Sequence, residues 1–239
     1  MNIAIIFAGG TGQRMNTKTR PKQFLELNGK PIIIHTLEHF QRHSLIDEII
    51  VVCLKEWIDE MLRLKDLYRI HKISAVVPGG ESGQQSIFNG LLKASELYPA
   101  DSIVLIHDGV RPLIDENTIT RGIESVQKYG SAITVSPAVE TVAIKTESGE
   151  MGIIMDRSRC EMAKAPQCFY LKDILSGHQK AKQEKHADFI DSASLMQHYG
   201  YTLHTVSGPA ENIKITTPGD FYIMRALLNA KENSEIFGL

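Results

Sequence analysis

The chain has 239 residues, of which 43% are hydrophobic and 23% charged, and its net charge is -2. This is the make-up of a globular domain with a sizeable α/β core; it excludes the broad basic surface that nucleic acid or an anionic membrane would require. The apolar runs are too short to span a bilayer, no signal-peptide pattern precedes the first strand, and Cys53, Cys160 and Cys168 lack CxxC spacing, so reduced thiols and a cytoplasmic protein are predicted.

Ile3 to Phe7 is apolar without alternation, which predicts a strand covered on both faces of a parallel sheet. Ala8-Gly9-Gly10-Thr11-Gly12 follows, then Arg14, Pro21 and Lys22. Glycines let backbone amides approach an anion, and the two cations could neutralise charge on a leaving group, so this turn suits a triphosphate. It is neither a Walker A loop, since Gln13-Arg14 follows Gly12, nor a dinucleotide fingerprint, since Met15 stands where the third glycine belongs. The alternative is a plain strand-to-helix turn with solvated cations.

Asn28-Gly29 signals a turn, and Pro31 to Arg42 has helical spacing with His35 as a packing residue. A strand at Ile49 to Leu54 and a helix at Trp57 to Tyr68 come next, followed by a strand at Ser74 to Val77. A second glycine turn, Pro78-Gly79-Gly80-Glu81-Ser82-Gly83, leads into a helix from Gln84 to Leu97 with Ile87, Leu91, Leu92 and Ala94 inward. Glycines where a strand meets a helix mark ligand sites in α/β sheets. Ser102 to Ile106 predicts another strand, followed by His107-Asp108-Gly109-Val110-Arg111-Pro112. Asp108 there could hold Mg²⁺ on nucleotide phosphates, or simply pair with Arg111.

A helix is predicted from Asp115 to Tyr129 and a strand from Ala132 to Val135. Val142 to Lys145 alternates, Ser148-Gly149-Glu150 turns, and Gly152 to Met155 continues, so a hairpin arm is predicted that could pair with a second subunit. Ala165 to Phe169 reads as a lead-in to a helix from Leu171 to Lys182. A helix at Asp191 to His198, a strand at Tyr201 to Val206, Lys214 among small polar residues and a last helix at Phe221 to Lys231 complete the chain. The prediction is one α/β domain over residues 1–239, a Rossmann-like, mostly parallel sheet flanked by helices, with a protruding β-arm at about 138–158.

Seven stretches, AGGTGQRM, PKQFLELNGKPIIIHTLEHF, GGESGQQS, HDGVRP, DR at Asp156-Arg157, APQCF and NIKITTPGD, occur in that order. Together they resemble the cytidylyltransferases that activate sugar-alcohol phosphates with CTP. That family has a methylerythritol phosphate branch, serving isoprenoid synthesis, and a ribitol 5-phosphate branch, serving teichoic acid and capsule. Gly9-Gly10, the run LNGKPIIIHT and His107 to Val110 are nearer the ribitol form.

The resemblance implies that Phe7, Ala8, Gly9 and Gly10 hold CTP by backbone contacts, and that Arg14 and Lys22 stabilise charge on its phosphates. Gly80, Glu81 and Ser86 would read base and ribose. Asp108 would contact the ribose region and Mg²⁺ or another divalent cation. Arg111, Thr141, Arg157 and Lys214 would bind the polyol phosphate, with Arg157 and Lys214 also in the catalytic set. A homodimer joined by the arm would share its sites. Gly83 stands where the family has an arginine and Ala165 where it has a threonine. The acceptor's phosphate would attack the α-phosphorus directly, without a protein nucleophile. A nucleotide-sugar pyrophosphorylase and an inactive nucleotide-binding paralogue are the competing readings; Arg14, Lys22 and Asp108 are all present, which argues against the latter.

Overall fold

The computed structural model describes residues 1–9, 20–185 and 189–237. Strand β1 (Asn2–Ala8) buries Ile3, Ala4, Ile5 and Ile6 completely, as its unbroken apolar run predicts. A 3-10 turn at Lys22–Phe24 leads to a small antiparallel pair, β2 (Glu26–Leu27) and β3 (Lys30–Pro31), joined by Asn28 and Gly29 at positive φ. Helix α1 (Ile32–Arg42) follows. His35, His39 and His43, each four residues apart, hydrogen-bond the carbonyls of Leu27, Pro112 and Glu116 at 2.7, 3.0 and 3.1 Å, so His35 packs as predicted.

Strand β4 (Glu48–Cys53), helix α2 (Ile58–Leu67), strand β5 (Ile73–Pro78) and helix α3 (Gly83–Leu97) follow the predicted order. The Ser82 side chain caps α3 by accepting from the Gln85 amide. Ile87, Leu91 and Ala94 form one buried stripe on α3, but Leu92 is 36% exposed. Consecutive helical positions diverge by about 100°, so Leu92 cannot share the stripe that Leu91 occupies. Strand β6 (Ile103–Asp108) runs two residues past its predicted end, which makes Asp108 part of the sheet. Helix α4 (Glu116–Tyr129) is bounded by the Asp115 cap and by Gly130 at φ 87, and strand β7 (Ser131–Pro137) follows.

Strands β8 (Ala143–Lys145) and β9 (Met151–Ile154) pair only with each other and form the predicted hairpin. Strand β10 (Glu161–Tyr170) is the main departure: the segment read as a lead-in to a helix is a ten-residue strand inside the sheet. Pro166 argues against a strand because it cannot donate to a ladder, and the fold accommodates it where the β10–β7 register shifts between Ala163 and Gln167. Helix α5 (Leu171–Gln183), helix α6 (Ser192–His198), strand β11 (Thr205–Ser207) and helix α7 (Pro218–Phe237) close the chain, and the strand predicted from Tyr201 forms only at its last residues.

The main sheet has the order β11-β7-β10-β6-β1-β4-β5. Strands β6, β1, β4 and β5 are parallel, β10 is antiparallel to both its neighbours, and β11 is parallel to β7. Helices α1, α2 and α4 cover one face through Ile33, Met61 and Ile119, while α3, α5 and α6 cover the other through Leu91, Ile174 and Leu195. A smaller core under α7 joins Met224 and Leu228 to Leu27, Ile32 and Ile215. From β1 the chain steps outward to β4 and β5, then returns to β6 on the far side of β1. Connections leaving β1 and β6 therefore diverge, and a crevice opens at the carboxyl ends of these two strands.

Candidate active site

At that crevice Phe7 lies opposite Asp108 in the β1–β6 ladder. Gly9 leaves β1 so close to α3 that a β-carbon on it would stand 2.8 Å from Ser86 Oγ; one on Gly79 would stand 3.0 Å from the same atom. Gly9 and Gly79 thus converge on Ser86, and glycine is needed at these two positions for close approach rather than for positive φ. Ser86 Oγ donates to the Ser82 carbonyl at 2.9 Å and accepts from the Gly80 amide at 3.1 Å, which holds the second turn in shape. Ala8 is held by Gln23, whose buried amide donates to the Ala8 carbonyl. Glu81 is exposed at the rim. Gly10 and Arg14 lie outside the described residues.

Asp108 is the centre of the charge distribution. It is 5% exposed, accepts from Arg111 Nε at 2.8 Å and meets Lys214 Nζ at 2.5 Å. Burial by itself would raise the carboxyl pKa; the Lys214 and Arg111 cations outweigh it and hold Asp108 below the usual carboxylate range. The neighbouring His107 is fully buried, burial pushes its imidazole down to about 4, and its Nε2 donates to the Arg111 carbonyl at 3.1 Å. It is a neutral support for the Arg111 turn.

Lys214 reaches Asp108 because its segment is tied at several points. The Ile215 amide donates to the Val110 carbonyl at 3.1 Å, and Lys22 Nζ donates to the Ile215 carbonyl at 2.9 Å. Arg111 Nη1 donates to the Asn212 carbonyl, and the Asn212 side chain donates to the Ala165 carbonyl. Beyond Lys214, Asp220 accepts from the Thr216 hydroxyl at 2.6 Å and from the Thr216 and Thr217 amides at 2.8 and 2.7 Å; these bonds outweigh burial and bring its carboxyl to about 2. The motif NIKITTPGD is thus a brace that delivers one lysine to one carboxylate.

A cavity of about 260 Å³ opens beside this cluster, with Phe7, Asp108, Arg111, Lys164, Ala165 and Lys214 in its wall. Gly83 also lines it, and a β-carbon there would meet nothing within 4 Å, so the arginine of the family pattern has room. Gln167 Nε2 donates to Asp191 Oδ2 and its Oε1 accepts from the Ala193 amide, each at 2.8 Å, which fixes the start of α6 as the opposite wall. Gln23, Lys164 and Gln167 were missed in the sequence. Gln23 and Gln167 each follow a proline within two residues in a recognised stretch, which is the signal that could have found them; Lys164 has none, since only the β10 register shift turns it toward the cavity.

Asp108 suits Mg²⁺ only in the way that ion usually binds nucleotides, with substrate oxygens and water completing its coordination. Among the described residues no group of three His, Cys, Asp or Glu side chains could enclose a metal. The Asp108–Arg111 pair foreseen as the alternative is formed.

Thr141 and Arg157 are not brought to this cavity in their own chain. Both are exposed near the arm, where Arg157 Nη1 donates to the Val139 carbonyl at 3.1 Å. The arm leaves Val139 76%, Met151 72% and Ile153 67% exposed, an apolar surface that its own chain does not cover.

The family model described as IspD: 2-C-methyl-D-erythritol 4-phosphate cytidylyltransferase matches residues 2–230. A ribitol-5-phosphate cytidylyltransferase of Vibrio parahaemolyticus serotype O3:K6 is 52% identical over all of both chains. A 2-C-methyl-D-erythritol 4-phosphate cytidylyltransferase of Clostridium acetobutylicum is 39% identical, over 98% of this chain and 99% of the relative. Among solved structures, 4-diphosphocytidyl-2C-methyl-D-erythritol synthase from Anaerococcus prevotii superposes with a TM-score of 0.82 at 28% identity, covering 95% of this chain and 96% of that one.

Proposed function

This chain belongs to the 2-C-methyl-D-erythritol 4-phosphate cytidylyltransferase family, and from that premise we propose that it transfers the cytidylyl group of CTP to D-ribitol 5-phosphate, giving CDP-ribitol and pyrophosphate. The observation that carries the chemistry is the buried Asp108 carboxylate between Lys214 and Arg111, at the mouth of a crevice built from two glycine turns. The choice of acceptor rests on the 52% full-length identity to a ribitol-5-phosphate cytidylyltransferase, against 39% for the Clostridium acetobutylicum methylerythritol phosphate enzyme.

In this reading the backbone from Phe7 through Gly10 cradles the triphosphate, and Gly80, Glu81 and Ser86 hold the nucleoside. Glycine at 9 and 79 lets these two segments pack closely against Ser86, which sets the shape of this seat. A phosphate oxygen of the acceptor attacks the α-phosphorus in line and pyrophosphate leaves. Arg14 and Lys22 stabilise the charge that builds on the α-phosphate and the leaving group; Lys214 and Arg111 orient the acceptor. The acceptor phosphate is already ionised at neutral pH, so positioning and charge stabilisation carry the rate, with no general base. Asp108 is the residue that would hold Mg²⁺; when bound, that ion neutralises charge between the triphosphate oxygens.

The arm gives this reading its quaternary side. Its uncovered apolar strands pair with a second copy, and each acceptor phosphate is gripped by Arg157 from one chain and Thr141 from the other. The test of the function is pyrophosphate release from CTP with a panel of polyol phosphates. D-ribitol 5-phosphate is expected to give the highest kcat/KM; a higher value for methylerythritol phosphate would reassign the chain to the other branch.

A further inference from the structure

Three cations, Arg111, Lys164 and Lys214, line the cavity near Asp108. Asp108 is shared by Arg111 and Lys214, whereas Lys164 Nζ donates to the carbonyls of Pro209 and Ala210, at 3.3 and 2.7 Å. An ammonium has three donors, so one remains after these two bonds. Asp191, the other carboxylate of the wall, is engaged by Gln167 and by the Ser194 amide at the start of α6. The wall's three cations against Asp108 and Asp191 leave one net positive charge in the cavity. A phosphate monoester carries about −1.5 to −2 at neutral pH and is drawn to that surplus.

Burial and, after it, the nearby Arg111 push the Lys164 pKa down, Glu211 opposes them, and an arriving anion would favour the charged form further. Strict alternation along β10 would turn Lys164 away from the face that Ala163 and Ala165 occupy. The register shift between Ala163 and Gln167 instead brings all three into the cavity wall. Lys164 therefore shares the cavity wall with Ala165, the position where the family pattern has a threonine.

We propose that Lys164 is a binding residue for the phosphate of the polyol-phosphate acceptor, leaving the Pro209 and Ala210 carbonyls when that phosphate enters. This rests on the cytidylyltransferase reading and adds to it a residue that sets acceptor affinity. The alternative is that Lys164 only pins the 209–212 turn behind Lys214. Glutamine separates the two roles, since it can still donate to a carbonyl but carries no charge.

The experiment measures pyrophosphate release with CTP and D-ribitol 5-phosphate for the wild-type chain, Lys164→Gln and Lys164→Arg, together with calorimetric binding of D-ribitol 5-phosphate to each. A charge-assisted hydrogen bond of about 1.5–3 kcal/mol corresponds to roughly 10- to 150-fold. The expected result is an acceptor KM and Kd at least about tenfold higher for Lys164→Gln, an unchanged KM for CTP, and recovery to near wild type in Lys164→Arg. An acceptor Kd unchanged in Lys164→Gln overturns the proposal while the wild-type turnover leaves the function standing. Equal losses for CTP and acceptor in Lys164→Gln, with a lowered Tm, assign Lys164 to the turn and also overturn it. A wild-type chain that neither binds nor converts any polyol phosphate overturns the function itself, and this inference with it.

Discussion

Replacing Gly9 by alanine tests whether the two glycine turns form one nucleotide seat. The new methyl would stand 2.8 Å from Ser86 Oγ and 3.5 Å from both Gly79 Cα and Ser86 Cβ, so the hydroxyl is the one severe contact. Ser86 cannot rotate away freely, because its oxygen bonds both the Ser82 carbonyl and the Gly80 amide. Losing those two bonds costs about 1–3 kcal/mol at roughly 0.5–1.5 each, and keeping them forces an overpacked contact of similar cost, about 1–3 kcal/mol. Gly9→Ala should therefore lower stability by about 1–3 kcal/mol and raise the KM for CTP, because the seat deforms at the point where backbone meets ligand. Ser86→Ala removes the obstructing oxygen, so the double variant should be little worse than Ser86→Ala alone. The assay is urea denaturation and CTP kinetics on the four members of the cycle. Additive losses would refute the reasoning, since they would mean that Gly9 and Ser86 act independently.

Lys22→Ala should lower turnover about a hundred- to a thousand-fold at saturating substrates, with CTP binding affected far less; unchanged turnover would remove Lys22 from the transition state. Arg157→Ala and Thr141→Ala chains, each inactive as homodimers, should regain up to about half of the activity per dimer when mixed, because two-fold symmetry puts both lesions in one site and none in the other. A doubly tagged mixed dimer without activity would rule out a site shared between Arg157 of one chain and Thr141 of the other. Burial holds the neutral imidazoles of His107 and His178 down at about 4, against about 6.5 in an unfolded chain, so between those values they bind fewer protons folded than unfolded. Stability should fall as pH drops from about 6.5 toward 4, by roughly 3 kcal/mol for each group, and a urea midpoint flat over that range would contradict it.

Much of the fold was legible because its evidence is local. The apolar runs at β1, β4 and β6 can be read without knowing their neighbours, since a strand buried on both faces needs no alternation. The Asn28-Gly29 turn marks an element end through chemistry within two residues. The glycine turns, with Asp108 and Arg111 close behind β6, were legible for the same reason. Beyond that reach the sequence alone was insufficient. Pro166 hid β10, because its compatibility with a sheet depends on a register shift against β7, whose paired residues lie about 30 positions earlier. The hydrogen-bond brace that carries Lys214 to Asp108 links residues about a hundred positions apart, so only the folded chain could show that both Asp108 oxygens are occupied by cations. Composition determined that this chain would form a covered parallel sheet with polar turns at its strand ends. Which side chains meet at those ends was decided by tertiary packing, because a contact between distant segments depends on the path of everything between them.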